Sequence, residues 1–444
     1  MSDSYRGGWD LGKILKVPNI RKGLLFTLLV LVITRLGAQI PVPGVSRDVF
    51  SNWFANQQSG AVSLFDMMTG GSFSQMSIFA LSITPYITAS IIMQLMTIII
   101  PSLEELQKDQ DGRDKINEYT FYLSIGLSAL QAVAMGIAFY RSNSLAVKSI
   151  PAVIVVIVAL ITGAVVLIFL GEEITKHGVG NGISMILLFN IVSRMPQDIG
   201  TLYDAYLKGR NIVQAGLAFL IILAIILFMI AFCVCLQDAY VRIPVQNSSK
   251  MVGRRAVGGV GSNIPFMINA SNVIPVIFAG SLMSLPELIT SFTGYQAKGA
   301  VAWIFNMLSQ NNWFNPDNMS YTVGYILYAV LIIAFAYFYT SIMFNPQEVA
   351  ERLKERGSFI PGQRPGRQTV EYLQRVSDTT IVIGAIGLLI VSTIPIVLAG
   401  LLGVDVSFGG TSIIIIVGVV LETIRKLDSQ VSERHLRGLF SSNR

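Results

Sequence analysis

The 444-residue chain is 52% hydrophobic and only 13% charged, with mean hydropathy +0.61 and a formal net charge of +6. A soluble domain carries about 25% charged residues, so this composition excludes a soluble globular protein. The apolar runs are continuous and lack strand alternation, which excludes a transmembrane barrel and predicts an all-α polytopic membrane protein.

In chain order, residues 1–22 are polar and basic. The apolar run that follows is span length and lacks a small-residue cleavage pattern, so no cleavable signal peptide is expected. Ten spans are predicted, at about 23–40, 76–100, 119–140, 151–172, 182–195, 214–236, 273–293, 321–343, 379–401 and 410–425. The chain therefore reads as a segment 1–22, a first half 23–212, a second half 213–427 and a tail 428–444.

The stretch 60–100 is discontinuous. A short half-apolar piece, Ala61 to Met68, stops at Thr69, Gly70, Gly71 and Ser72, and the long run Ile78 to Ile100 follows with Pro85 inside it. Only the second piece is long enough to cross a core of about 30 Å. Broken backbone at membrane depth is tolerated where protein buries it or where it lines a cavity. The stretch therefore reads as the lining and stopper of a pathway.

Both halves carry a proline-interrupted second span, with Pro85 in one and Pro275 and Pro286 in the other. Both also have a fifth span opening on glycine and serine, GNGISMILL and GGTSIIIIV. Five spans per half make the second repeat inverted, and inverted repeats with broken helices place the pathway at their interface. Spans two, five, seven and ten are the expected lining.

An even span count puts both termini on one side. Most of the 32 lysines and arginines fall on that side, so the termini are expected to be cytoplasmic. The opposite side holds Arg47, Arg141, Lys148, Arg194, Lys208, Arg210 and Lys298, and Arg35 lies inside span one. The connections at about 237–269 and 345–377 are long, basic and rich in turn residues, which suits docking of an anionic surface.

No Walker A pattern, HExxH or GxGD signature is present. His177 and His435 lack metal-ligand spacing, and Cys233 and Cys235 face different ways on one helix. The chain is expected to be no enzyme and to need no metal or cofactor. Inner polar groups read as neutral: Thr84, Thr88, Gln94, Gln131, Asn190, Asn269 and Asn272. Ion-coupled transporters keep ionisable groups in the bilayer, so an uncharged lining suits a large and varied passenger. A secondary transporter of a small solute, also built from inverted repeats, is the alternative that these residues leave open.

The motif FALSITPYITASIIMQ at 79–94 resembles the SecY family of protein-conducting channels. IPVPG at 40–44, TGGSFS at 69–74, GEEITKHGVGNGIS at 171–184, FNP at 344–346, FIPGQRPGRQT at 359–369 and FGGTS at 408–412 follow the same family in order. The resemblance covers essentially the whole chain. It implies a clamshell of two inverted five-helix halves around a central pore. It maps a pore ring onto Ile83, Ile87, Ile183, Leu187, Ile277 and Ile415, and a plug onto 61–71 with Leu64, Phe65, Met67, Met68, Gly70 and Gly71. It maps a lateral gate onto spans two and three against seven and eight, with Thr84, Thr88, Gln94, Asn272 and Leu285. Arg364, then Arg254, Arg255 and Arg367, would dock a motor or ribosome. Leu187 replaces an isoleucine of the family's ring, and Met267 stands where relatives often carry lysine. The implied partners are SecE and SecG, the SecA motor, the ribosome, signal-bearing polypeptides and membrane lipid. The implied location is the bacterial cell membrane.

Overall fold

The computed structural model describes residues 18–46, 49–50, 54, 60–141, 145, 149–206, 212–247, 250–252, 255–257, 262–293, 299–314, 319–402 and 410–441. The long helices are α1 (Pro18–Gly37), α3 (Thr84–Ile99), α5 (Gln110–Arg141), α6 (Ile150–His177), α7 (Gly182–Tyr206), α8 (Ile212–Asp238), α9 (Ile274–Thr293), α11 (Thr322–Met343), α13 (Arg367–Leu402) and α14 (Gly410–Ser441). Each predicted span coincides with one of them. Shorter helices are α2 (Gly60–Met68), α4 (Pro101–Lys108), α10 (Ala300–Leu308) and α12 (Pro346–Glu355). A helix satisfies its own backbone, which lipid cannot do. Among the described residues, stretches of α5, α6, α8, α11 and α13 are long and apolar enough to cross a membrane. The pair α3 and α4 passes the same test together but bends by 108°. The bend falls at Ile100, which is extended (φ −105°, ψ 108°) before Pro101, the backbone a residue preceding proline prefers.

The chain divides into two compact units. One comprises Met1–Gly200, Leu285–Phe305 and Val419–Arg444; the other comprises Thr201–Ser284 and Asn306–Gly418. In the first unit, α5 and α6 pack closely, with Gly136 of α5 admitting Ile157 and Val153 of α6. A core forms where Val62 and Phe65 of α2 meet Phe50, Phe73, Met76, Leu81, Met135, Phe139 and Leu160. Phe73 makes edge-on ring contacts with Phe50 at 5.5 Å and with Phe65 at 5.2 Å, a geometry aromatic quadrupoles favour.

In the second unit, α8 packs on α13 where Gly387 admits Leu236, and Tyr325 of α11 hydrogen-bonds Thr393 of α13 at 2.7 Å. Among the described residues, five strands, which sequence patterning does not separate from loop, lie in the two long connections: β1 (Tyr240–Asn247), β2 (Lys250–Val252), β3 (Arg255–Val257), β4 (Ser262–Met267) and β5 (Ser358–Phe359). A three-stranded sheet in the order β4-β1-β5 ties the first connection to the second. Ile243 and Val245 alternate inward from β1 and join Phe266, Ala350, Ile360 and Leu373 in a small core of its own. Asn345 caps α12 by accepting from the Gln347 amide at 3.0 Å, with Pro346 opening the helix. The FNP motif is thus a helix start.

Two further differences from the sequence reading concern boundaries. Span two begins as helix only at Thr84, because residues 69–83 form a chain of turns. The fifth span continues past Pro196 to Tyr206 instead of stopping near 195.

Candidate functional site

The turns between α2 and α3 account for their backbone internally. The Gly70 amide donates to the Met67 carbonyl at 3.0 Å, Gly71 to Asp66 at 2.9 Å, and Ser77 to Ser72 at 2.9 Å. Gly70 (φ +67°) and Gly71 (φ +79°) are left-handed, a region open to glycine at no steric cost. Gly70 has a second reason to be glycine: a Cβ there would lie 2.9 Å from the Asn190 Cα. The segment is buried by protein, with Thr69 and Ser72 at 1% and 3% exposure. Gly163 of α6 lies flush against the Ile78 carbonyl. The broken stretch is therefore covered, as its backbone requires.

Two helices, α1 and α7, hold the end of α2. Arg35 of α1 donates to the Gly70 carbonyl at 2.8 Å. Asn190 of α7 donates to the Met68 carbonyl at 3.2 Å and to the Ser82 hydroxyl at 3.0 Å. Arg194 of α7 pairs with the Asp66 carboxylate, which also accepts from the Ser74 amide at 2.7 Å. Asp198 stands 3.5 Å from the Arg194 Nε. These contacts correct the expectation that the inner polar groups are all neutral. Asp66 is 1% exposed, and its charge is met by Arg194. Sequence reasoning counted Arg194 as a topology charge and passed over Asp66. The available signal was the four-residue spacing of Asn190, Arg194 and Asp198, which puts them on one helix face.

The expected ring residues are placed by helix starts. Asn181 caps α7, its side chain accepting from the amides of Ile183 (3.1 Å) and Ser184 (3.4 Å). Ile183 and Leu187 follow on the face that carries Asn190 and Arg194. In α3, Ile83 is the residue before the helix and is fully buried, and the Ile87 amide bonds back to the Ile83 carbonyl at 3.1 Å. In α9, the Ile277 amide bonds to the Val273 carbonyl at 3.2 Å. Ser82 (φ 50°) and Asn272 (φ 55°), each two residues before its helix, are both left-handed without being glycine. The sequences SITPYI and NVIPVI therefore align as the same kind of joint, with Ile87 and Ile277 at equivalent positions. Ile415 of α14 is buried at 3% exposure. Ile83, Ile87, Ile183 and Leu187 belong to the first unit, and Ile277 and Ile415 to the second.

Of the expected plug residues, Phe65, Met67 and Met68 are buried. Leu64 lies in α2 with its side chain outside the described residues. Of the expected gate residues, the Thr88 hydroxyl donates to the Thr84 carbonyl at 3.1 Å and Gln94 donates to Ser90 at 3.3 Å, both within α3. The Thr84 hydroxyl and the Gln94 carbonyl oxygen are buried without a partner among the described residues. The Asn272 carbonyl accepts from Asn269 at 3.0 Å. Leu285 lies in α9 with its side chain outside the described residues.

Arg364 is exposed on a fixed backbone. Its amide donates to the Gln368 side chain at 3.3 Å and its carbonyl accepts from Thr369 at 2.9 Å. Arg367 is exposed and pairs with Glu371 at 2.9 Å. Arg254 lies outside the described residues; Arg255 is on β3, its side chain likewise undescribed.

The family model named SecY matches residues 77–424. The protein translocase subunit SecY of Streptomyces griseus is 41% identical over 450 residues, covering 96% of this chain and 98% of the relative. The subunit of the same name from Thermotoga maritima is 34% identical, covering 97% of each. Among solved structures, a protein conducting channel superposes with TM-score 0.62 at 22% identity, covering 94% of each chain. Sec61 in a canine ribosome-channel complex from the endoplasmic reticulum gives TM-score 0.59 at 20% identity. The fold is that of these multi-pass membrane channels, and the chain belongs to the SecY family of protein translocase subunits.

Proposed function

We propose that this chain forms the conduit through which unfolded secretory polypeptides cross the bacterial cell membrane and from which hydrophobic segments pass sideways into lipid. Ile83, Ile87, Ile183, Leu187, Ile277 and Ile415 form its constriction, α2 with Gly70 and Gly71 is its removable stopper, and residues 23–212 and 213–427 are its two halves. The observation that carries this reading is on α7. One face of one helix presents Ile183 and Leu187 and also holds the end of α2, so lining and stopper share an element.

The chemistry suits the task. Aliphatic side chains offer nothing to replace an ion's hydration shell, so a narrow ring of them resists ions by dewetting. They also impose no selection on a passing side chain. A lateral seam along Thr84, Thr88, Gln94, Asn272 and Leu285 would let each segment sample lipid. A centred leucine gains about 0.3–0.6 kcal/mol there, whereas an aspartate, lysine or arginine costs about 2.5–3.5 kcal/mol. Sequence then decides between export and insertion.

The termini and the β4-β1-β5 sheet face the cytoplasm in this reading. Arg364, with Arg254, Arg255 and Arg367, docks the SecA motor or the ribosome, and SecE and SecG complete the membrane complex. Among related structures, Sec61 sits in a canine ribosome-channel complex and a yeast Ssh1 complex is bound to the 80S ribosome; both are properties of those proteins. The test is the ion conductance of the reconstituted complex carrying Ile87→Gly and Ile277→Gly. A resting leak well above the parent's supports the constriction, and parental conductance in the folded double variant rejects it.

A further inference from the structure

The ion pair between Asp66 and Arg194 does not serve the helix that carries Asp66. The residue lies in the last turn of α2, Gly60–Met68. The helix dipole is negative there, so a carboxylate is disfavoured. Val62 and Phe65 already pack α2 into the core of its unit. The carboxylate also accepts from the Ser74 amide at 2.7 Å, but a backbone amide can be met by a neutral oxygen, so a negative charge in that position, 1% exposed, needs another reason.

Its surroundings supply one. Arg194 meets the carboxylate with its own side chain 13% exposed. Two charges removed from water in this way attract strongly across a low local dielectric, and taking away either partner leaves the other uncompensated. The other ties on the segment differ in kind. Arg35 and Asn190 reach main-chain carbonyls of Gly70 and Met68, and water can substitute at a carbonyl once the site is wetted. Among the described residues, Asp66 with Arg194 is the one ion pair that joins α2 to a long helix. It also stands on the α7 face that carries Ile183 and Leu187. Seven residues separate Leu187 from Arg194, about 10 Å of rigid helix. Whatever moves that face at the ring moves Arg194.

We propose that the Asp66–Arg194 pair is the latch that keeps the stopper seated at rest, and that Arg194, on the helix shared with the ring, is the positioning residue through which an entering passenger releases it. This rests on reading α2 as the stopper, so the experiment separates the two ideas. The assembled translocase is reconstituted in vesicles, and resting ion leak is measured without passenger for Asp66→Asn, Arg194→Gln, the double variant, Arg194→Lys and a deletion of residues 60–71.

Asp66→Asn and Arg194→Gln should each raise the leak about tenfold, because each strands the other charge, and the double variant should leak no more than the worse single. Arg194→Lys keeps the cation and should bring the leak back to within about threefold of the parent, which a merely misfolded segment would not allow. Parental leak in both single variants, with a leaky deletion, overturns the latch and spares the stopper. Leaks that multiply in the double variant also overturn it, since the residues then act separately. Parental leak in the deletion itself overturns the stopper reading and the latch with it.

Discussion

The joints that precede α3 and α9 are built alike and surrounded differently. Each has a left-handed non-glycine residue, Ser82 or Asn272, two positions before the helix. Each has a proline at the helix start and an isoleucine, Ile87 or Ile277, bonded back to the residue before the helix. Ahead of Ser82 lies a buried, glycine-broken segment held by Arg35, Asn190 and Arg194. Ahead of Asn272 lies β4, part of a sheet with its own small core. One backbone device thus serves two settings: beside Ser82 it joins a buried, broken segment to its helix, and beside Asn272 it joins a sheet to its helix.

The largest expected effect strikes the first joint alone. Gly70→Val adds a Cβ against the Asn190 backbone and forces a β-branched residue into a left-handed conformation. It should destabilise the protein by about 3 kcal/mol or more, read as a lowered unfolding midpoint in detergent. Next are Ser82→Val and Asn272→Val, each costing about 1–2 kcal/mol for the left-handed backbone. Similar losses would support equivalent joints, and a loss at one position only would break the equivalence. Ser82→Val should also raise resting ion leak, since it removes the hydroxyl that Asn190 bonds, whereas Asn272→Val should leave the stopper seated.

On the sheet side, Arg364→Glu should cut motor-driven export about tenfold or more while insertion of the protein itself stays normal. Export at the parental rate would remove Arg364 from docking. The smallest effect belongs to Glu371→Ala. It breaks an exposed pair with Arg367 that contributes at most about 1 kcal/mol and should leave the unfolding midpoint nearly unchanged.

The ten long helices among the described residues were legible as runs of continuous apolar sequence. The break at Gly70 and Gly71 was equally plain, since two glycines after Met68 end any helix. The β4-β1-β5 sheet was not legible. Pro244 and Pro265 interrupt β1 and β4, and the alternation of Ile243 and Val245 covers too few residues to stand out from loop. The Asp66–Arg194 pair spans 128 residues of sequence, and local periodicity says nothing about such a distant partner. Arg194 carries a topology signal and a structural role at once, and a charge tally reads only the first. The left-handed joints lie beyond sequence patterning too. Ser82 and Asn272 each stand three residues before a proline, outside any turn dipeptide, and the sign of φ comes from the packing around them.

The most direct measurement is photo-crosslinking to a stalled passenger. A photo-reactive amino acid is placed at Ile87 or Ile277, and at Ile383 of α13, which is 50% exposed and faces lipid in the proposed arrangement. A secretory precursor is then halted midway and the sample irradiated. Adducts to the precursor at Ile87 and Ile277, and none at Ile383, are the predicted result and put a polypeptide through the constriction. No adduct at either isoleucine, with the precursor demonstrably stalled, would contradict the channel account, and solute uptake would be the next activity to measure.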